Sequence, residues 1–352
     1  MAIPAYLVKV NGNTVSNVQE FTFTRGVQHL SDSIRPGTGI IRGRRPDLLP
    51  TIAIGDNVRI DVGAVGSTVF YCRVADFRID YGEIASLDTW QIDIEDAVAA
   101  LGRCTASFSW SAGSTTGTAI QAVMTGAGVT LQANPTTSPC SAQVIVNENA
   151  LEVFGRLMTQ EQGFFIAGGA DNTIEIWGRQ FASVISTYDF SDDGTGTNPI
   201  KYDALEFAGL ADNYADKTIV EAAGLAQQSS GVGNYSAIFQ TYNQTTGQAK
   251  DLADYLLGVY DAQVQSVSTI TARWNSNTGT ARSNLNVLVS APTQLKIKFR
   301  SNTYYGIVLG ATVTGLIDDI IYTYYLATPG FYTQFTLDSP IAGVLNTNRL
   351  GY

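Results

Sequence analysis

The sequence predicts a mainly β, α+β protein. It reads as two antiparallel β-barrel or β-sandwich domains near the chain ends, a small α/β module and a helical insertion. Three observations predict this. Short strands with period-two alternation fill both ends of the 352 residues. A three-strand phrase near the start, Val58–Val62 followed by Arg78–Asp96, recurs as Leu295–Phe299 followed by Gly315–Ser339. Helical periodicity is confined to the middle.

The elements follow in order. "AYLVKVNGNTVSNVQEFTFTRG" alternates around Asn11-Gly12, a pair suited to the positive φ values of a type I′ hairpin turn. The next stretch, from Ser31 to Asp56, has no clean period and carries Pro36, Pro46, Pro50, Arg35, Arg42, Arg44 and Arg45. It reads as a long mobile arm, since structureless segments of that length are usually functional. In the first phrase Val58, Ile60 and Val62 share a face, as do Phe77, Ile79 and Tyr81, and then Trp90, Ile92 and Ile94. The opposite face carries Arg59, Asp61, Arg78, Asp80, Gln91, Asp93 and Glu95. One face is buried and one is wet. A short helix at Ala97–Gly102 closes the unit.

The middle opens with a helix over Thr118–Thr125 ended by Gly126. In "NENALEVFGRLMTQEQGFFIAGGADNTIEIWGRQF", Asn149 caps a helix with Glu152 three residues on. Leu151, Phe154, Leu157 and Met158 form its apolar stripe, and Gly163 stops it. "FFIA" and "TIEIW" then make a hairpin. Strands return from Ile185. A further helix has Thr246 as its cap and Ala249, Leu252, Ala253, Leu256, Leu257 and Tyr260 on one side. A strand at Val264–Trp274 follows, and then the recurrent phrase, with Ile321 standing for Ile79 and Phe335 and Leu337 for Ile92 and Ile94. The offset between copies grows from about 237 to 243 through changes in loop length. The expected divisions are 1–105, a first β-barrel domain; 106–185, the α/β module; and 186–352, a second β domain with an α/β insertion around 221–275.

Composition narrows the function. Charged residues are 15% of the chain, against ~25% in ordinary soluble proteins. The net charge of −10 argues against gripping a phosphate backbone. Cys72, Cys104 and Cys140 are dispersed and odd in number, which speaks against a structural zinc site or a disulfide framework. The N-terminus has neither the basic nor the apolar region of a signal peptide, so a cytoplasmic, soluble product is expected. No apolar run approaches the ~18 residues of a membrane span.

No chemistry stands out. His29 is the single histidine, and no nucleophile elbow accompanies it. "DFSDDGTGTNPI" clusters Asp189, Asp192, Asp193 and Asn198, but Ile200 occupies the position where a calcium loop needs Glu; a solvated turn is the simpler reading. "GSTTGT" lacks the P-loop lysine, and "TGAGV" follows a helix instead of opening one. No catalytic residue, metal ligand or cofactor is expected, and the chain reads as a non-enzyme.

The doubled "VRIDV…FRIDYG…WQIDIED" phrase, "ALEVFGRLMTQEQGFFIAGGADNTIEIWGR" and "GQAKDLADYLLGVYDAQVQSVSTITARW", in that architecture, resemble the central hub proteins of long-tailed bacteriophage tails. That family includes the hub of contractile baseplates and the body of type VI spike proteins. The likeness covers most of the chain, and is nearest to the short hubs of non-contractile phages. It implies two tail-tube-like barrels per chain, and a homotrimer whose six quasi-equivalent units continue the tail tube at the distal tip. Such a ring adapts sixfold tube to threefold tip and lets DNA pass during ejection without specific binding. The implied partners are the distal tail ring protein, the tail tube, the tape-measure protein and a central fibre or spike, in a virion assembled in the host cytoplasm without direct membrane insertion. Asp61, Asp80, Asp93 and Glu95 are the positions expected to line an acidic lumen. Arg42, Arg44 and Arg45 are expected in an intersubunit arm. No appended lysozyme-like or peptidase region is recognised. The alternatives are a hexameric distal-tail or tube ring, an outer-membrane β-barrel, and a carbohydrate-binding β protein.

Overall fold

The computed structural model describes residues 6–26, 34, 36–62, 68–84, 87–133, 135–167, 172–178, 186–209, 215–260, 265–273, 276–281, 284, 293–298, 303–304, 307–308, 312–325 and 330–338. The N-terminal β unit holds β1 (Tyr6–Val10), β2 (Asn13–Thr14), β3 (Val18–Gly26), β4 (Thr38–Arg44), β5 (Asn57–Val62), β6 (Thr68–Asp80) and β7 (Thr89–Glu95). The module follows: α1 (Ala97–Arg103), β8 (Thr105–Trp110), α2 (Thr116–Ala127), β9 (Thr130–Ala133), β10 (Gln143–Asn149), α3 (Ala150–Glu161), β11 (Phe164–Ala167) and β12 (Thr173–Trp177). The C-terminal unit begins with β13 (Ser186–Ser191), β14 (Pro199–Lys201) and β15 (Ala204–Gly209). It is interrupted by β16 (Lys217–Ala222), β17 (Gln228–Gly231), β18 (Ser236–Thr241) and α4 (Thr246–Tyr260). It resumes with β19 (Gln265–Arg273), β20 (Thr293–Lys298), β21 (Thr303–Tyr304), β22 (Ile307–Val308), β23 (Thr312–Tyr325) and β24 (Gly330–Asp338). No described helix is long and apolar enough to cross a membrane.

The two β units repeat each other strand for strand. In the first, the order is β5-β6-β7-β4-β3, every pair antiparallel. In the second, β20-β23-β24-β19-β15 takes the same places and the same sense. The register agrees over most of each pair. Val58 pairs Cys72 and Ile60 pairs Phe70; Leu295 pairs Gly315 and Ile297 pairs Val313. Val74 pairs Ile94 and Phe77 pairs Ile92; Ile317 pairs Leu337 and Ile320 pairs Phe335. Both long strands carry a bulge at the same place, between Val74 and Asp76 and between Ile317 and Asp319. Every pair across β6 and β7 maps onto β23 and β24 at an offset of 243, and β5 maps onto β20 at 237 up to Ile60, after which a bulge shifts the pairing of Asp61 alone. The irregularities of β3–β4, between Val18 and Glu20, and of β15–β19, between Glu206 and Phe207, lie at different places. Period-two strands resemble one another by default, but a shared bulge and shared register across five strands do not follow from alternation alone.

The register corrects one sequence equivalence. Ile321 pairs Gln334, the place of Arg78 opposite Gln91, so Tyr322 and not Ile321 stands for Ile79. The alternation of β23 is too uniform for the sequence to fix its phase. The outermost strands also differ: β1 runs antiparallel to β5, whereas β13 runs parallel to β20 and to β14. The C-terminal unit is therefore not purely antiparallel.

Both units belong to one sheet, joined where β3 pairs antiparallel with β23. Pairing among the described residues does not close a barrel. The sheet curls nonetheless, because Phe23 on β3 stacks against Phe70 on β6, with ring centroids 4.4 Å apart and two strands between them in the pairing order. Phe21, Ile41, Val58, Ile60, Trp90, Ile92 and Ile94 share one core with Tyr188, Phe190, Ile200, Ile270 and Ala272 of the second unit.

The module has its own core, built from Val98, Leu101, Ile120, Val123, Met124, Val153, Phe154, Leu157, Phe165, Ile174 and Ile176. Its hairpin β11–β12 forms as the sequence indicates, with β9 added in parallel. Asn149 caps α3, its side chain accepting from the Leu151 and Glu152 amides. Helix ends differ from the sequence reading by a residue or two. Gly128 in the left-handed region ends α2, Gln162 in that region ends α3 before Gly163, and Thr245, not Thr246, accepts from the Gln248 amide at the start of α4. In the insertion, α4 packs Ala249, Leu252, Ala253 and Leu256 against Val220 and Phe239. β19 belongs to the main sheet.

Candidate functional site

The wet face of the sheet is where the sequence places its functional residues. β7 presents Thr89, Gln91, Asp93 and Glu95. Beside them in register lie Arg44, Arg42, Ile40 and Thr38 on β4, and Asp80, Arg78, Asp76 and Arg73 on β6. Asp61, Asp80, Asp93 and Glu95 therefore share one face, as the alternation implies. The face is not an acidic wall, because cations are interleaved with the carboxylates. Asp61 is buried between Arg59 Nε at 2.6 Å and Lys9 Nζ at 3.8 Å. Glu95 is bonded to Arg103, whose guanidinium is held above its usual pKa by that contact. Asp93 accepts from Gln91 Nε2 at 2.5 Å, and Gln91 Oε1 accepts from Arg42 Nε at 2.8 Å.

The arginine stretch is not an arm. Thr38–Arg44 is a strand between β3 and β7. Arg42 also binds Glu20 at 2.7 Å. Arg45 takes φ 61° before a short turn of 3₁₀ helix at Pro46–Leu48 and grips Asp47 with two nitrogens at 3.1 and 3.0 Å, which lowers that carboxyl's pKa. Glycines and prolines masked this strand. Gly43 lies against the Trp90 ring, and Gly39 against Phe23, where a Cβ would have no room. These are packing glycines, not loop glycines.

The remaining sequence candidates are local structure. Asp189 accepts from the Thr197 and Asn198 amides at 2.7 and 3.1 Å, and Asp193 from the Thr195 amide and hydroxyl at 3.1 and 2.7 Å. Their carboxylates fold the turn. Among the described residues no group of three His, Cys, Asp or Glu converges as metal ligands. Thr115 of "GSTTGT" accepts from the Thr118 amide at the start of α2. His29 lies outside the described residues.

A buried polar joint at the end of α3 is absent from the sequence reading. Glu161, with no exposed surface, accepts from the Thr116 hydroxyl and from the Ser138 and Thr137 amides at 3.1 and 3.3 Å. Gln160 accepts from the Tyr242 amide at 2.9 Å and donates to the Pro139 carbonyl at 2.9 Å. Burial pushes the adjacent Cys140 thiol up to about 12. A cavity of about 200 Å³ beside this joint is lined by Thr137, Ser138, Gln160, Asn243, Gln248 and Leu252. The joint ties the module to the insertion. In sequence, two polar residues at a helix C-terminus look like a solvated end, so nothing there signals it.

The sheet also leaves edges open. On the side away from β7, β6 is paired by β5 only from Thr68 to Arg73. Among the described residues, that side has no strand from Asp76 to Asp80, and β15 pairs on one side only, with β19. Tyr81 and Ile54, 79% and 75% exposed, flank the open stretch of β6. Unpaired edges of this kind template further pairing.

No family model matches the sequence, and no curated protein matches it. Solved structures do match. A tail protein from Neisseria meningitidis MC58, 12% identical, aligns over 96% of this chain and 96% of its own, with a TM-score of 0.66. The 43 kDa tail protein of prophage MuSo2 from Shewanella oneidensis, 15% identical, aligns over 95% and 98%, with a TM-score of 0.62. An E. coli component of the type VI secretion system, described as structurally similar to the T4 bacteriophage tail proteins gp27 and gp5, is 12% identical and aligns over 98% and 78%, with a TM-score of 0.55. The chain has the fold of these tail and type VI proteins, which is the fold the sequence resemblance implied. At such identities the likeness carries the fold and assigns no residue a role.

Proposed function

We propose that the chain is a structural protein of a phage-type tail, assembling as a homotrimer whose six β units form a pseudo-sixfold ring around a channel. The observation that carries this is the repeat of five strands in the same order and sense and largely the same register, with one bulge shared between β6 and β23. Three copies of a doubled unit present six near-equal faces to a sixfold tube and three equal faces to a threefold tip. On this reading the ring sits at the distal end of the tail, between the distal tail ring and tube on one side and a central fibre or spike on the other. The tape-measure protein approaches through the lumen, and DNA passes during ejection. The charge-balanced wet face supports passage without specific binding, since interleaved cations and carboxylates leave little net field for a phosphate backbone.

Native mass spectrometry of the purified protein tests the stoichiometry. The hub reading predicts three times the 37.7 kDa chain mass. Six copies would favour a hexameric distal ring or tube, and a stable single copy would defeat every ring reading.

A further inference from the structure

The intrachain junction between β3 and β23 has a counterpart that is vacant among the described residues. β23 is paired along one side by β24. Along its other side it is paired first by β20, over Thr312–Leu316, and then by β3, over Asp319–Tyr325. The equivalent of β23 is β6, whose equivalent stretch begins at Asp76. The equivalent of β3 is β15, since Phe21 pairs Ile41 where Leu205 pairs Ile270. Among the described residues of one chain β6 lacks that neighbour and β15 lacks that partner. We infer that the Asp76–Asp80 edge of β6 receives β15 of a second copy of this chain, as an added antiparallel strand.

This rests on the ring reading above and specifies its contact. The donor and acceptor edges lie on different units, so the contact is head-to-tail, the kind that closes into a ring when the rotation allows. Each chain gives β15 to the next and receives β15 from the one before. Every junction around the ring, within or between chains, then has one strand arrangement. The register follows from the internal junction. Thr323 pairs Thr22 and Ile321 pairs Thr24, so Asp80 comes opposite Glu206, and Arg78 opposite Ala208. Arg78 stands one diagonal step from Glu206, within reach of both carboxylates. The irregularity between Glu206 and Phe207 puts its extra residue, Ser268, on β19, so β15 itself runs without interruption. The exposed Tyr81 and Ile54 border the stretch to be covered, and pairing would bring them against the incoming strand.

Cysteine pairs in the full chain test this. Directly opposed Cα atoms in an antiparallel pair lie about 4.5–5.5 Å apart, within disulfide reach. In a Cys104→Ser background, Asp80→Cys with Glu206→Cys, and separately Arg78→Cys with Ala208→Cys, are oxidised and run on a non-reducing gel. Ladders of two and three chains are expected from a double variant and not from the single variants. Amide hydrogen exchange on the wild-type assembly gives a readout that needs no substitution: the Asp76–Asp80 and Ala204–Gly209 amides should be protected in the assembled form. A wild-type mass of three chains with neither crosslinking nor protection overturns the strand pairing and leaves the ring reading standing. A wild-type mass of one chain overturns both.

Discussion

Removing the Asp96 carboxylate should loosen the joint between the first β unit and the module. Asp96 is 4% exposed. Its Oδ1 accepts from the Val98 amide at 2.9 Å and caps α1, while its Oδ2 accepts from the Gly37 amide at 2.8 Å, just before β4. Its own amide donates to the Gly37 carbonyl at 2.9 Å. Loss of an N-cap costs about 1 kcal/mol. A buried N–H left without an acceptor costs about 1–3 kcal/mol. Asp96→Ala should therefore destabilise the protein by about 2–4 kcal/mol. Asp96→Asn keeps one acceptor oxygen for the cap but turns an NH2 group on the Gly37 amide, so its cost should be about half as large. Urea unfolding followed by tryptophan fluorescence reads both sides of the joint, since Trp90 lies in the sheet and Trp110 and Trp177 in the module. An alanine variant within about 0.5 kcal/mol of wild type, the usual range for surface changes, would refute the reasoning. So would an asparagine variant weaker than alanine.

Other outcomes follow from single contacts. Gly43→Ala drives a Cβ into the Trp90 ring and the Asn17 carbonyl, and should cost about 1–3 kcal/mol or more. The C-terminal unit has Ala272 at this place, opposite Thr333, so Gly43→Ala with Trp90→Thr should cost less than the sum of the two, read by a double-mutant cycle. Native-state alkylation at pH 8 should leave Cys140 unmodified, because burial raises its thiol pKa to about 12; labelling before unfolding would contradict that burial. Asp254 is held below the usual carboxylate range by hydrogen bonds from Lys250 and Ser230. A lowered carboxyl stabilises the fold above its unfolded pKa, and that contribution fades as pH falls through the lowered value. Its side chain is 51% exposed, so the acid loss should stay under about 1 kcal/mol and vanish in Asp254→Asn, measured by thermal unfolding between pH 5 and 2.

Much of the β architecture is legible in the sequence because burial of one face enforces period two. β5, β6 and β7 and their copies show this, and the drift from 237 to 243 reappears in the register. β4 was hidden because Gly43 sits where the Trp90 ring needs room and Gly39 where the β3 backbone comes close, and adjacent Ile40 and Ile41 blur the alternation. α3 is legible from its Asn149 cap and its stripe. The phase of β23 is not, since isoleucines and tyrosines fit either face. The wet face is legible as a set of positions, but its charge balance depends on cross-strand neighbours such as Arg42 with Glu20, which only the strand order reveals. Open edges are silent in sequence for the same reason: alternation reports which way side chains point and nothing about which strand lies alongside.

The central claim is that one chain supplies two equivalent β units to a closed ring. A three-dimensional reconstruction of the purified assembly tests it most directly. The account predicts three chains around a channel, with density that overlays itself on rotation by about 120° and, over the β layer, nearly as well by about 60°. A ring of six chains, or a trimer whose β layer matches itself at threefold steps alone, would contradict it.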